Sequence, residues 1–348
     1  MSKNKVIASV GVICIITGIV GGTWSGIKAI PKFIDNLQEV EHQDKQALTI
    51  YNKEEKINKL VVNAKRSDVI IKRHNEPTVK VEMVGNKKNS KVDVVNNNAQ
   101  LTINEEYTNR EYNIKNIDDI VQNFIDRMYS SYNSDIVIYL PEKVNVDVTT
   151  NYSNLIVEDN IVADTINYET SSGQITLPRD MNLENLNIKS TGRINIDTNN
   201  LSGAKNVNII AEEVYINNDE FTIDENKMPE NLSIKTTNNE YNMDSVNIDT
   251  SAPIAKNLYI DTRSMVNIEL PIVDYKFNFD INASRGIAFN TDNIDKYRNT
   301  SVEKYFEEGN NQDESSLPKE LKGVINNQLV NNENEYFVKI NSSYTVFK

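Results

Sequence analysis

In the stretch NLNIKSTGRINIDT (Asn185–Thr198), Leu186 and Ile188 alternate with polar neighbours, a polar elbow follows, and Ile194 and Ile196 resume the alternation. A period of two puts those four aliphatic side chains on one face of successive strands. The same quartet recurs as Val146/Val148 with Leu155/Val157, Ile166/Tyr168 with Ile175/Leu177, and Val207/Ile209 with Val214/Ile216. It returns as Leu232/Ile234 with Tyr241/Met243 and as Leu258/Ile260 with Val266/Ile268. The leading residues Val146, Ile166, Leu186 and Val207 step by about twenty positions, and later steps lengthen to about twenty-five.

One such unit cannot stabilise itself. Ordering the backbone alone costs about 1–2 kcal/mol per residue, whereas a buried Val, Leu or Ile contributes about 1.5–3 kcal/mol. Stacked units cover one another, and each interior strand finds hydrogen-bond partners on both sides. The pattern therefore predicts an all-β domain over residues 48–348 built as a parallel β-solenoid, with Asn151, Gly173, Gly192 and Asn238 at tight corners. An antiparallel β-sandwich of successive hairpins has the same spacing and stands as the alternative. Leu60/Val62, Val69/Ile71, Val79/Val81, Val92/Val94 and Leu101/Ile103 follow the rule less regularly, as end-capping repeats do.

Two insertions interrupt the rhythm. Ile117, Ile120, Val121, Phe124, Ile125 and Met128 fall at helical spacing behind the N-capping Asn116, which predicts an amphipathic helix over about 114–133. Residues from about 294 to 335 are polar, with EEGNNQDESS in the middle, and read as a loop with short helical pieces. A last strand pair, EYFVKINSSYTVFK, closes the chain.

The N-terminus obeys a different rule. Residues 6–27, from Val6 to Ile27, carry no charge, and this length matches a membrane-crossing helix. Residues 1–5 form a short tail, and residues 28–47 form a juxtamembrane helix or stalk, with Phe33, Ile34, Leu37 and Val40 at helical spacing. No Ala-x-Ala cleavage pattern is evident, and Ile13 before Cys14 does not fit a lipoprotein, so the span reads as an uncleaved signal anchor. Lys3 and Lys5 precede it. Lys28 and Lys32 follow it with Asp35, a bias toward a cytoplasmic tail and an extracytoplasmic C-terminal domain in a single-pass cell-membrane protein.

Charge and chemistry narrow the function. A net charge of −13 disfavours nucleic acid, whose phosphates need clustered Lys and Arg. The lone cysteine forbids an internal disulfide. His42 and His74 read as solvated histidines, and no phosphate loop or zinc spacing occurs, so no catalytic, cofactor-binding or metal residues are assigned. Asp147, Glu169, Asp197, Glu213, Asp249, Asp261 and Glu269 point outward by parity. They would form acidic rows open to calcium if the coils stack in register, although a solvated face explains them equally. A polysaccharide-cleaving cleft would need grouped carboxylates or arginines, and Arg193 and Arg263 stand isolated.

VVNAKRSDVIIKRHNEPTVKVEMVG resembles the opening strands of the putative-adhesin family of bacterial β-strand repeat proteins, whose domain has no assigned function. VNIELPIVDYKFNFDINASRGIAFNT is similar to its later pattern, a strand ending in Leu270-Pro271 and then strands about an elbow at Arg285-Gly286; Leu140-Pro141 repeats the form. The resemblance implies a parallel solenoid, often membrane-tethered, with no catalytic residues. It is consistent with a non-enzymatic adhesin-like or scaffold protein binding a cell-wall polymer or an envelope protein. A regulatory or sensory accessory of an envelope-stress response is the alternative.

Overall fold

The computed structural model describes residues 47–85, 90–107, 134–141, 143–158, 161–179, 181–217, 227–237, 244–271, 275–289, 317–325 and 335–348. The expected membrane span, stalk and helical insertion, with Cys14 and His42, lie outside these residues. Among the described residues, no helix is long and apolar enough to cross a membrane.

The strands begin with β1 (Leu48–Lys53), β2 (Lys59–Asn63), β3 (Asp68–Arg73), β4 (Val79–Val84), β5 (Ser90–Asn97), β6 (Gln100–Tyr107) and β7 (Asp135–Leu140). Regular two-strand coils follow: β8 (Asn145–Thr149) with β9 (Leu155–Val157), β10 (Thr165–Thr170) with β11 (Ile175–Thr176), and β12 (Leu183–Ser190) with β13 (Arg193–Asp197). Next come β14 (Ala204–Ala211) with β15 (Glu213–Asn217), β16 (Asn231–Thr236) with β17 (Asp244–Asp249), and β18 (Asn257–Asp261) with β19 (Met265–Glu269). The chain ends with β20 (Lys276–Phe289), β21 (Glu320–Ile325) and β22 (Glu335–Phe347).

First strands of successive coils pair with one another, parallel and in register. Val146, Ile166, Leu186, Val207, Leu232 and Leu258 form one inward row, and Val148, Tyr168, Ile188, Ile209, Ile234 and Ile260 form the next. All are at most 2 % exposed and belong to one hydrophobic cluster running from Tyr51 to Phe347. The second strands repeat the arrangement, with Ile194, Val214, Val246 and Val266 in one row. Parallel pairing rules out the antiparallel sandwich, since a two-residue hairpin cannot join parallel neighbours. The solenoid expectation holds.

Its details need three corrections. Tyr241 and Met243 were expected as an inward pair and lie outside the described residues; Val246 and Ile248 on β17 fill the registered position instead. The stretch read as a polar loop contains β21, which adds antiparallel to β20. Its Leu321 is buried, an isolated anchor too brief to stand out in a polar window. Finally, the closing strand pair is one bent strand, β22, lodged between β18/β19 and β20. β20 bends beside it at a register shift, where Gly286 has φ +145°.

Both ends of the stack are threaded out of chain order. β6 and β7 lie outside β2 and β3, which pair directly with β8 and β9. Antiparallel strands then close the stack: β5 on β6, β4 on β7, β1 on β4, and β21 on β20. The outermost strands β1, β5 and β21 are each paired on one side only. The β5–β6 turn places both Asn98 and Ala99 at positive φ, 52° and 62°, as a two-residue type I′ hairpin requires.

Two carboxylates near this end have opposite environments. Glu105 is buried, and burial alone would raise its pKa. The backbone N–H of Arg66, the hydroxyls of Ser67 (2.6 Å) and Ser90 (2.7 Å), and the N–H of Ser67 outweigh that and hold it below the usual range. It thereby ties the β2–β3 corner to the next coil. Asp135 registers beside Asp68, and burial, then the charges of Asp68 and Glu158, push it up to about 6.

Two predictions follow from this end of the stack. Folded Asp135 holds its proton to higher pH than the unfolded chain does. Its contribution is therefore complete below the ordinary carboxylate range and lost as pH rises through about 6. Asp135→Asn should raise the unfolding midpoint by a few degrees at pH 7 and leave it nearly unchanged at pH 4; equal shifts at both pH values would contradict this environment. Ala99→Gly should stabilise the chain by about 1 kcal/mol in urea unfolding, because a left-handed alanine is strained there.

Candidate functional site

The outer face of the long sheet is built from the polar positions between the buried rows. Here the abundant asparagines, expected at corners, form ladders along strands. Asn185, Asn206, Asn231 and Asn257 occupy one register position, and each side-chain amide donates to the preceding one at 3.4, 2.8 and 3.0 Å. Two residues along, Asp147, Asn167, Asn187 and Asn208 form a second row. Asn167 donates to Asp147 at 2.5 Å and Asn187 to Asn167 at 2.8 Å.

A side-chain amide has two N–H donors and a two-lone-pair oxygen. Asn206 and Asn257 direct amide hydrogens to backbone carbonyls as well as to the ladder. Among the described residues Asn187 makes one donor bond, into the row, which leaves an N–H and its oxygen facing the surface. The second row floors a shallow depression of about 240 Å³, walled by the Glu169–Lys189 ion pair (2.7 Å) and Ile210.

The expected acidic rows do not form on this sheet, because the register intersperses them with cations and amides. Asp147 lies 2.6 Å from Lys59, and Asp261 falls between Lys235 and Asn341. On the second strands of the coils, Glu213 pairs with Arg193 at 2.7 Å, and Asp197 caps the short helix Thr198–Asn200 by accepting the Asn199 N–H at 2.7 Å. Asp249 and Glu269 do sit side by side. No grouping of three metal-ligating side chains occurs among the described residues.

His74 is not the solvated residue expected. Its side chain is 14 % exposed, with Nδ1 2.6 Å from the Thr78 carbonyl oxygen and the ring 5.5 Å from that of Tyr139. It is a turn-stabilising group.

Toward the C-terminal end, the same face carries two exposed aromatics. Tyr259 is 44 % and Phe337 46 % exposed. Asn257 registers with Phe337 and Tyr259 with Lys339, so the two rings stand on adjacent strands, displaced diagonally by two positions. Parity reasoning found every outward position but ranked carboxylates above amides. The recurring Asn one residue before or after an inward aliphatic was the signal for the ladders.

The profile of the family described as Toastrack DUF4097 matches residues 57–317. No curated protein matches the chain. Among solved structures, a putative cell adhesion protein from Clostridium sporogenes is 10 % identical, with 87 % of this chain and 98 % of that one covered and a TM-score of 0.24. A putative adhesin from Bacteroides fragilis is 10 % identical over 65 % of this chain and 90 % of that one, with a TM-score of 0.32. Another, from Parabacteroides distasonis, is 10 % identical over 66 % and 92 %, with a TM-score of 0.34.

Asn187→Ala should cost about 1 kcal/mol in urea unfolding, the net worth of one ladder hydrogen bond. A cost within about 0.3 kcal/mol of zero would mean that the ladder contributes nothing to stability.

Proposed function

The chain belongs to the Toastrack DUF4097 family, and from that premise we propose a non-enzymatic, adhesin-like protein whose long sheet binds a hydroxyl-rich polymer of the cell envelope. The observation that carries the reading is the continuous amide-lined face ending in Tyr259 and Phe337. Each hydroxyl of a sugar both donates and accepts, as does each side-chain amide that retains free groups. The apolar face of a pyranose can lie on an exposed aromatic ring, which offers large area at little entropic cost. Regular steps between coils suit a ligand that is itself a repeating chain.

Membrane anchorage belongs to the same proposal. Residues 6–27 would hold the protein in the cell membrane and the stalk would carry the solenoid outward, within reach of wall glycan. The net charge of −13 supports a largely neutral ligand along the sheet, because an extended polyanion would be repelled.

The full chain in detergent micelles should sediment with purified peptidoglycan from which anionic polymers have been stripped. Replacing Tyr259 and Phe337 together by Ala should reduce the bound fraction about tenfold, equivalent to about 1.4 kcal/mol. Absence of sedimentation, or sedimentation indifferent to both aromatics, would remove the sheet face as the binding surface.

A further inference from the structure

At the C-terminal end, the corners of three neighbouring coils line a groove of about 430 Å³. Thr262 and Arg263 come from the β18–β19 corner, Ser342 from the bend in β22, and Ser284 from the bend in β20. Backbone hydrogen bonds lock these corners together, from the Thr262 N–H to the Asn341 carbonyl at 2.9 Å and from the Ser343 N–H to the Ser264 carbonyl at 3.0 Å. The lead-in to β21 forms another wall. The Lys319 carbonyl accepts the Ala283 N–H at 2.9 Å, which places Lys319 on the same groove as Arg263.

Two cations share this groove. Lys59, Lys189, Arg193 and Lys276 each lie within 3.0 Å of a carboxylate. Arg263 and Lys319 make no ion pair among the described residues, although both are exposed and line one groove in an acidic chain. The carboxylate on the wall, Glu320, is 3.6 Å from Lys322. The remaining lining is hydroxyl and amide, including Asn282 and Asn341. Two cations with no carboxylate partner among the described residues, beside neutral hydroxyl and amide groups, form an environment that favours an anion. The guanidinium of Arg263 offers a planar fork that matches two oxygens of one acid group.

We propose that this corner groove binds a single oxyanion, a phosphodiester or a sugar carboxylate, borne by a polymer of the cell envelope. The polymer as carrier rests on the functional reading above, whereas the anion site rests on the groove alone. Binding one group at a time is compatible with the acidic surface, because the cations are concentrated locally and the rest of the ligand can be neutral.

The full chain in detergent micelles would be titrated with glycerophosphoglycerol, with glucuronate and with neutral glucose by isothermal calorimetry. One or both anions should bind while glucose does not bind at this site, and the tighter anion identifies the source of the acid group. R263Q combined with K319Q should weaken anion binding at least tenfold, and R263K, which keeps the charge but not the fork, should weaken it less than R263Q does. Added salt should weaken binding in parallel. The Tyr259 and Phe337 variants should leave anion affinity unchanged, so failure of the sheet face and failure of the groove are read separately. Binding of neither anion, or binding undiminished in the double variant with its circular dichroism intact, overturns the proposal. If the double variant unfolds, single R263Q decides on the same criterion.

Discussion

In-register parallel stacking of short strands is the constraint on which the molecule depends. A coil with four inward aliphatic residues has too little apolar area to offset its own ordering. Its stability comes from the neighbours, so every row must align across coils. Leu186 is completely buried because Ile166 and Val207 flank it at the same height. A one-residue slip would turn each aliphatic outward and each asparagine inward. Register is therefore specified many times over, and coils lengthen only at corners, as between Val207 and Leu232.

Register also imposes a rule on the surface. Whatever stands at an outward position is repeated about one strand spacing away, so a charge repeated in every coil would repel itself along the stack. The chain meets this in two ways. It alternates signs, as in Glu169 beside Lys189, or it uses a neutral side chain that is its own partner. Asparagine serves the second purpose, since its amide donates to one neighbour and accepts from the other. The buried corners follow the same logic with hydroxyls: Thr150 donates to Thr170 at 3.0 Å, and Thr236 lies 2.6 Å from Thr262. Repetition thus selects self-complementary polar groups, and a hydrogen-bonding face is a consequence of the fold before it is a site.

Most of the interior was legible in the sequence, because period-two alternation and a twenty-residue step state it directly. Val146, Ile166, Leu186, Val207 and Leu258 all lie where parity placed them. What escaped the pattern was topology at the ends. Nothing local in a polar turn such as NNNAQ (Asn96–Gln100) tells β6 to settle outside β2, or β22 to enter between β18 and β20, since either order buries the same aliphatics. Tyr241 and Met243 carry the alternation a few residues before Val246 and Ile248, which hold the registered position. Arg263 appeared isolated because Lys319, its companion on the groove, is more than fifty residues away and arrives just before β21, a strand hidden in a polar segment.

The same contrast explains why recognition features accumulate at one end. A uniform stack presents the same chemistry at every step and can supply affinity without a preferred position. Selectivity needs places where the repeat is broken, and the out-of-order threading of β20 to β22 supplies them. There the core changes from branched aliphatics to Tyr336, Phe277, Phe279 and Phe347, each ring centroid within 5.8 Å of the next. Larger interior side chains and bent strands hold the corners rigidly, and Phe337, Tyr259, Arg263 and Lys319 project from that framework. The amide ladders lead along the sheet toward this end, so a polymer lying on them would reach Tyr259 and Phe337 where the regular register gives way.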